Sequence, residues 1–405
     1  MNTPSNRGSS ETSGLSKALT VPRGKRIALI GGAGFIGSAL AQRLIEQNQV
    51  TIFDNFHRNA LRHTPLRQGH PNLEQIRGDV LNPHDLDALR GPFDLVFHLA
   101  AIAGVGTVVE QPTRTMHVNV IGSYNVLRYF VNQPIERFVD FSTSEVYGPH
   151  NFRAGEEDST AQGPISQPRW IYAISKLTSE YMTLGYAREF ALPAATVRPF
   201  NIYGPGQVGE GALHWFIRAA LANRPLIVHG DGNPVRAWCY IDDAIDCLLR
   251  VATDPAAVGR CFNVGNPQAT CTVLRLAQDV IRLTGSRSSI EFREIAYPDV
   301  QVRVPSVETA TRLLGYEPRV GLEEGLARTI QWYRTHLGQL DAPTDAATTP
   351  TDTIPTPRGP SAWPMRRGMT PRIRPGDLQT WIDDAENAAA ADATTGTTAE
   401  AEPIR

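Results

Sequence analysis

The sequence predicts a doubly wound parallel α/β sheet followed by a smaller lobe. Short apolar runs suited to buried strands alternate with longer helical stretches, as in strands joined by crossover helices. The runs lie at residues 27–30, 50–54, 73–76, 93–98 and 137–141. Small or polar residues follow several of these runs, at the sheet edge where open α/β proteins bind ligands. After Pro199 prolines interrupt shorter segments, which indicates a separate substrate lobe.

The first apolar run passes into a glycine turn of the Rossmann type, Gly31-x-x-Gly34-x-x-Gly37. Gly31 and Gly34 let the backbone turn and approach a pyrophosphate, and Gly37 lets the following helix pack on the strand. Phe35 and Ile36 lie within this turn as candidate cofactor contacts, and the N-terminus of the following helix faces the phosphates. These residues predict a dinucleotide site.

An acidic residue closes the second apolar run at the place where a ribose is bound. In dinucleotide sites an acidic residue follows the glycine turn by roughly 20 residues, and Asp54 has this position relative to Gly31. A carboxylate there accepts the ribose hydroxyls and repels a 2′-phosphate, so NAD is favoured over NADP. Arg58 lies four residues after Asp54, and an arginine there weakens the preference for NAD because it could accommodate a 2′-phosphate.

The composition excludes several classes of protein. The chain has 405 residues, 41% of them hydrophobic, and a net charge of −2, so no global field recruits nucleic acid or an anionic membrane. The four cysteines form no Cys-x-x-Cys pair, and the ten histidines show no metal-binding spacing. No apolar run approaches the roughly 18 residues of a membrane helix. We therefore expect a cytoplasmic protein without a metal site.

The predicted domain boundaries follow changes in composition. We expect a disordered leader over 1–24, an NAD-binding domain over 25–199, a smaller substrate lobe over 200–337 with some crossing of the chain between lobes, and a mostly disordered tail over 338–405. Within the tail, residues 363–374 mix arginines with apolar residues, and residues 377–388 have helical character. A solvated tail is favoured over a docking element.

A tyrosine and a lysine form the candidate catalytic pair. Tyr172 and Lys176 lie four residues apart in a helical run, so their side chains share one helix face. A lysine ammonium beside a phenol lowers the phenol pKa and makes it a usable general base. The strand at 137–141 ends in polar residues that would lie at the same edge.

Together these motifs resemble the extended short-chain dehydrogenase/reductases, specifically the NAD-dependent nucleotide-sugar epimerase/dehydratase family. The resemblance covers about residues 25–337. Its supports are the glycine turn, Asp54, Asp79-Val80, His98-Leu-Ala-Ala101, Ser142-Thr-Ser-Glu145, Tyr172-x-x-x-Lys176, Arg198-Pro-Phe-Asn-Ile-Tyr-Gly-Pro205 and Arg236-Ala-Trp-Cys-Tyr-Ile-Asp-Asp243.

The resemblance implies a role for each matching residue. Tyr172 would remove the proton of the sugar C4 hydroxyl, Thr143 would hydrogen-bond that hydroxyl, and Lys176 would bind the nicotinamide ribose. The remaining cofactor contacts would come from Asn55, Asp79, Val80, Leu99, Ala100, Ala101 and Pro199, and the substrate contacts from Asn201, Arg236 and Arg303. The substrate would be a UDP-, dTDP- or GDP-linked sugar.

The residues beside Thr143 bear on the outcome after C4 oxidation. Glu145 could remove the C5 proton, which favours a dehydratase. The dTDP-glucose dehydratases carry Thr-Asp-Glu here, whereas Ser144 gives this chain the Thr-Ser-Glu of GDP-mannose dehydratases and UDP-glucuronate decarboxylases. The decarboxylases also use an arginine placed like Arg303, although they usually have Asp-Glu-Gly between the tyrosine and the lysine. A dehydratase or decarboxylase is therefore expected first and a UDP-sugar 4-epimerase second.

Two other classes fit less well. A simple NAD-dependent reductase would not need a lobe of this size, and a non-catalytic NAD-binding regulator would not need Thr143, Tyr172 and Lys176. The resemblance also implies a homodimer, formed through helices near 113–131 and 170–190.

Overall fold

The computed structural model describes residues 17–294 and 299–340, with side chains described to residue 336 in the last helix. The strands of this part are β1 (Arg26–Ile30), β2 (Gln49–Asp54), β3 (Leu73–Arg77), β4 (Leu95–His98), β5 (Arg137–Phe141), β6 (His150–Ala154), β7 (Ala194–Pro199), β8 (Ile202–Tyr203), β9 (Leu226–His229), β10 (Val235–Ala237), β11 (Cys239–Tyr240), β12 (Cys261–Val264), β13 (Thr270–Thr272), β14 (Ile290–Arg293) and β15 (Val302–Pro305).

The α-helices are α1 (Phe35–Leu44), α2 (Pro83–Leu86), α3 (Val105–Glu110), α4 (Pro112–Met116), α5 (Ser123–Phe130), α6 (Ile171–Glu189), α7 (Ala212–Leu221), α8 (Ile241–Thr253), α9 (Val273–Thr284), α10 (Glu308–Leu314) and α11 (Leu322–Leu340). Short 3-10 turns cover Leu61–His63, Pro65–Gln68, Ser144–Tyr147, Pro168–Trp170 and Pro255–Ala257. A π-helical segment, His117–Gly122, joins α4 to α5.

The main sheet has seven strands in the order β12-β7-β5-β4-β1-β2-β3. Every neighbouring pair is parallel, and β1 lies between β2 and β4. All carboxyl ends therefore meet at one edge, and the predicted doubly wound parallel sheet is confirmed. The five strands predicted from the first apolar runs are all present in it.

Both faces of this sheet are buried, because successive residues of a strand point to opposite sides. Ile27 and Leu29 belong to a core cluster on one face, whereas Ala28 and Ile30 belong to a second cluster on the other. Burial on both faces explains why β1 is a continuous apolar run instead of an alternating one.

The second sheet has the order β13-β10-β15-β6, in which β10 and β13 are antiparallel and the other pairs parallel. Two further pairs of strands, β11 with β8 and β14 with β9, are also parallel. Within the described residues the chain passes between these two sheets five times. Strand β6 joins the second sheet, β7 the main one, β10 the second, and β12 returns to complete the main one before β13 and β15 join the second.

Three features differ from the simple expectation. The predicted helix over 113–131 is interrupted by the π-helical segment. Of the predicted leader, residues 17–24 lack helix and strand, yet Leu19 and Val21 pack against the core and Lys17 pairs with Asp254 at 2.9 Å. Helix α11 continues to Leu340, past the predicted boundary at 337.

Parts of the predicted leader and tail lie outside the described residues. These are residues 1–16 and 341–405, including the unit Thr356–Arg405 and the segments 363–374 and 377–388. Within the described part, none of the helices has the length and apolar character needed to cross a membrane.

Candidate active site

The glycine turn between β1 and α1 forms a tight cradle. Gly31 has φ +81°, its amide donates to the Phe53 carbonyl at 2.7 Å, and an added Cβ would lie 2.4 Å from the Ala100 amide nitrogen. Gly34 precedes α1 without a side-chain cap, so the first amides of the helix have no partner within it. An added Cβ on Gly37 would lie 2.6 Å from the Gly32 Cα, which shows how closely the helix packs on the turn.

Asp54, at the end of β2, lies beside this cradle. Its carboxylate accepts hydrogen bonds from the Ala33 amide at 3.0 Å and the Phe56 amide at 2.7 Å. Burial raises the pKa of Asp54, although those backbone hydrogen bonds act in the opposite direction. Each carboxylate oxygen keeps a second lone pair, so Asp54 can still accept a ribose hydroxyl.

The other predicted cofactor residues surround the ends of β1 to β4. Asn55 follows Asp54, and Asp79 and Val80 lie just after β3, where Asp79 Oδ1 accepts the Leu81 amide at 2.9 Å. The amides of Leu99 and Ala100 both donate to the Ile30 carbonyl, at 2.7 and 2.9 Å, and Ala101 follows them. Phe35 and Ile36 open α1, and Pro199 ends β7.

Lys176 lies on α6, one turn after Tyr172, and is 1% exposed. Its Nζ has no hydrogen-bond partner among the described residues. Burial lowers the pKa of Lys176, while the charges of Asp140 and Glu180 act against that effect. A buried ammonium without a partner is costly. The Lys176 ammonium could donate hydrogen bonds to the two hydroxyls of a nicotinamide ribose, so the residues present fit NAD.

Tyr172 differs from the sequence-based expectation of a lowered phenol pKa. Burial raises the pKa of Tyr172 to about 12, and the negative charge of Glu145 acts in the same direction. A hydrogen bond with Thr143 and the charge of Arg303 lower it, but they do not outweigh burial. The predicted helix that carries Tyr172 and Lys176 is present as α6. The burial that raises the pKa of the phenol could not be predicted from the spacing of the two residues.

The strand β5 delivers the Thr-Ser-Glu sequence to the same edge. Thr143 begins the 3-10 turn Ser144–Tyr147 and accepts the Glu145 amide at 3.2 Å. The side chains of Thr143, Ser144 and Glu145 are all buried. The structure therefore brings Thr143 and Tyr172 together and places Glu145 beside them.

Glu145 is held between two arginines. Its Oε2 accepts Arg169 Nη1 at 2.5 Å, and its Oε1 lies 3.3 Å from Arg303 Nη2. Burial alone would raise the pKa of Glu145, but the charges of Arg169 and Arg303 lower it to about 2. Glu145 is therefore ionised at all ordinary working pH values.

The pairing of the second sheet brings two predicted substrate residues side by side. Arg236 on β10 is in register with Arg303 on β15, and Arg236 Nη2 lies 3.0 Å from Asp299. Burial, together with the charge of the neighbouring Arg303, lowers the pKa of Arg236 to about 10. Asn201, with φ 41°, donates its side-chain amide to the Ala237 carbonyl of β10 at 2.8 Å, and its contact with the substrate stays a prediction.

Sequence reasoning missed two charged residues of this site. Arg169 precedes Tyr172 and lies 4.0 Å from Asp299 as well as contacting Glu145. An arginine three residues before the candidate base was the available signal. Asp299 had no comparable signal, because its partners are distant in sequence.

A Rossmann cradle, a buried lysine and a tyrosine beside a threonine define the class: an enzyme that oxidises or reduces an alcohol carbon with a dinucleotide. The model of the NAD dependent epimerase/dehydratase family matches residues 27–265. This chain belongs to that family, and its cofactor is NAD.

Two similar curated proteins are decarboxylases. The UDP-N-acetyl-alpha-D-glucosaminuronate decarboxylase of Bacillus cytotoxicus is 36% identical over 320 residues, covering 76% of this chain and 98% of the relative. The UDP-glucuronic acid decarboxylase 1 of Danio rerio is 34% identical over 316 residues, covering 77% of this chain and 73% of the relative.

A similar solved structure is an epimerase. The UDP-glucuronic acid 4-epimerase of Bacillus cereus, in complex with UDP-glucuronic acid and NAD, has a TM-score of 0.69 and 26% identity. The alignment covers 76% of this chain and 99% of the epimerase.

Proposed function

We propose that this enzyme decarboxylates a UDP-linked uronic acid, with UDP-glucuronate and UDP-N-acetylglucosaminuronate as the substrate class. The observation that carries the proposal is the clamping of Glu145 between Arg169 and Arg303. The two curated relatives, which act on those two acids by name, support it.

The residues of the chain have separate roles in the first step. Tyr172 takes the proton of the C4 hydroxyl, while Thr143 orients that hydroxyl and Lys176 holds the ribose. Bound NAD would supply the acceptor for the C4 hydride, and the positive charge of its oxidised ring would favour the ionised form of the Tyr172 phenol. The product of this step is a 4-keto sugar.

The ionisation of Glu145 separates decarboxylation from dehydration. Dehydration needs a base to remove the C5 proton, and a carboxylate with a pKa of about 2 is a weak base. A 4-keto uronic acid is a β-keto acid, so the bond from C5 to the carboxyl carbon breaks and its electron pair enters the ketone. Carbon dioxide leaves, and C5 then takes a proton. No C5 base is required.

The charges of the lobe also fit an acidic sugar nucleotide. Among the described residues, three buried arginines, Arg169, Arg236 and Arg303, lie near two acids, Glu145 and Asp299. The surplus positive charge suits a diphosphate and a carboxylate, which guanidinium groups bind with paired donors. The buried Nε of Arg303 has no hydrogen-bond partner among the described residues and remains available.

A 4-epimerase is the second candidate, favoured by the likeness to the Bacillus cereus enzyme. It would use the same tyrosine, threonine and lysine, but the 4-keto sugar would rotate and accept the hydride on its other face. Glu145 and its two arginines would then only bind substrate.

The test is a mass spectrum of the sugar nucleotide after incubation with enzyme and NAD. UDP-glucuronate and UDP-N-acetylglucosaminuronate are compared with UDP-glucose, dTDP-glucose and GDP-mannose. We expect loss of carbon dioxide from a uronic acid and no change in the neutral sugars. Loss of water, or an unchanged mass with a new chromatographic peak, would contradict decarboxylation.

Glu145→Gln is expected to move the acidic limb of the kcat/KM profile to lower pH. The charge of Glu145 raises the pKa of Tyr172, secondary to burial, so removing that charge lets the phenol ionise at lower pH. The exposed Glu291→Gln gives the same chemical change elsewhere and should leave the limb in place. If the acidic limb of the kcat/KM profile is unchanged or moves to higher pH in Glu145→Gln, the charge of Glu145 does not control the ionisation of Tyr172.

We also propose a homodimer that packs the segments 117–130 and 171–189 of two subunits together. The exposed apolar side chains there, Ile121 at 47%, Tyr124 at 40% and Tyr181 at 71%, support this face as the interface. Tyr181→Asp is expected to give a monomer in light scattering at micromolar concentration. Phe292→Asp, at an exposed aromatic outside this face, should stay dimeric. A monomeric unmodified protein would refute the proposal.

A further inference from the structure

A glutamate from the lobe reaches back onto the main sheet. Glu210 lies in a loop, residues 204–211, that we call the Glu210 loop. Its carboxylate accepts the Gly106 amide at 2.9 Å, the Thr107 amide at 3.3 Å and the Thr107 hydroxyl at 2.6 Å. Arg58 Nη2 lies 3.4 Å from the same carboxylate. One side chain thus joins three separate parts of the chain.

The topology of the main sheet puts this bridge over the glycine turn. Arg58 follows β2 and Thr107 follows β4, and these two strands are the neighbours of β1 on either side. A link from Arg58 through Glu210 to Thr107 therefore passes across the carboxyl end of β1. The segment that carries Arg58 contacts the turn itself, since the Ala60 amide donates to the Ala33 carbonyl at 2.7 Å.

Glycines make room for the bridge on both sides. Gly104 has φ +101°, and an added Cβ would lie 2.7 Å from the Glu210 carboxyl carbon. Gly209 has φ +91°, and an added Cβ would lie 3.1 Å from Arg58 Nη1. Side chains at either position would push against Glu210 or Arg58.

We infer that Glu210 is a clasp that closes the lobe over the bound dinucleotide, with Arg58 shared between the clasp and the pyrophosphate. The 3.4 Å separation of Arg58 from Glu210 is longer than the roughly 2.7–2.9 Å of a charge-assisted hydrogen bond. Arg58 is half-exposed and keeps donors for a second anion. Hydrogen bonds from the Gly106 amide, the Thr107 amide and the Thr107 hydroxyl hold the Glu210 carboxylate in place, while Arg58 faces the phosphates.

The clasp bears on the outcome of the reaction, and this part of the inference rests on the proposed function. If the cofactor is retained, its hydride would return to the 4-keto pentose, and the net change would be a uronate anion plus one proton to a pentose plus carbon dioxide. If the reduced cofactor escapes first, one UDP-4-ketopentose, one carbon dioxide and one NADH leave for each NAD consumed. Loss of the clasp should therefore shift the products toward the ketone.

The experiment measures retention directly. Full-length protein loaded with NADH is mixed with excess NAD, and the decay of bound NADH fluorescence gives the dissociation rate. Glu210→Ala removes all four contacts, and we expect its rate to rise about tenfold or more, because hydrogen bonds to charged groups are individually worth roughly a tenfold change in affinity. Glu210→Gln, which keeps an acceptor but not the charge, should show a smaller rise. Glu291→Gln should match the unmodified protein.

A milder variant guards against a folding defect. Thr107→Val keeps the shape of the side chain and removes the 2.6 Å hydrogen bond to Glu210, so it should raise the rate several-fold at an unchanged melting temperature. Unchanged rates in folded Glu210→Ala and Thr107→Val would overturn the clasp. Faster NADH release without any carbon dioxide from a uronic acid would support the clasp and refute the decarboxylase. Carbon dioxide release from a uronic acid with an unchanged rate of NADH release in the variants would support the decarboxylase and refute the clasp.

Discussion

Tyr172→Phe is expected to lower kcat by about 10²- to 10⁴-fold while leaving folding and NAD binding intact. The substitution removes only the hydroxyl that takes the C4 proton, from a phenol that burial already holds near a pKa of 12. The phenyl ring still fills its place on α6, so stability should change little. Steady-state turnover and bound NAD per subunit are the measurements.

Tyr186→Phe is the matched control, since it makes the same change on the same helix. It should keep full turnover. A Tyr172→Phe enzyme as active as the unmodified protein would remove Tyr172 from the catalytic assignment. Loss of both turnover and NAD binding would show that the residue supports the cofactor site instead.

Arg169→Met is expected to destabilise the protein by about 3–5 kcal/mol, because it leaves the buried charge of Glu145 with one principal partner. Urea unfolding at neutral pH gives the change as a lower midpoint. Arg293→Met is the control. Arg293 is exposed and lies 3.8 Å from Glu291, so its loss should cost about 1 kcal/mol or less.

The pH dependence of this difference has a definite sign. The folded-state pKa of Glu145 is lowered from 4.5 to about 2, so its ionised form stabilises the unmodified protein above about pH 4.5. That contribution is lost as the pH falls from 4.5 toward 2. In Arg169→Met the carboxyl protonates more easily, so the gap between the two proteins should be largest at neutral pH and shrink below pH 4.5. A gap independent of pH would mean that Arg169 stabilises the fold by packing alone.

The cofactor half of the site was predictable because its residues are close in sequence or lie at strand ends. The glycine turn needs only the local conformation of Gly31, and Asp54 follows from the end of the next strand. The Tyr172 and Lys176 pair follows from helix spacing. Local rules of this kind are sufficient where one element presents the residues.

The charged half was less predictable, because long-range pairing assembles it. Arg236 and Asp299 are 63 residues apart and meet only because β10 pairs with β15. The burial that raises the pKa of Tyr172 also comes from the assembled fold. Neither the ion pairs of Arg169 nor the ionisation of Glu145 can be obtained from spacing.

The return of the chain at β12 has a consequence during synthesis. Until residues 261–264 emerge from the ribosome, β7 is an edge strand of the main sheet and has unpaired backbone groups. Strand β6 stays unpaired for longer, because its partner β15 lies at residues 302–305. An open, apolar edge of this kind is a template for pairing with another chain. Contacts so distant in sequence also form slowly. Truncations that stop before residue 261 should therefore aggregate instead of yielding a free cofactor domain.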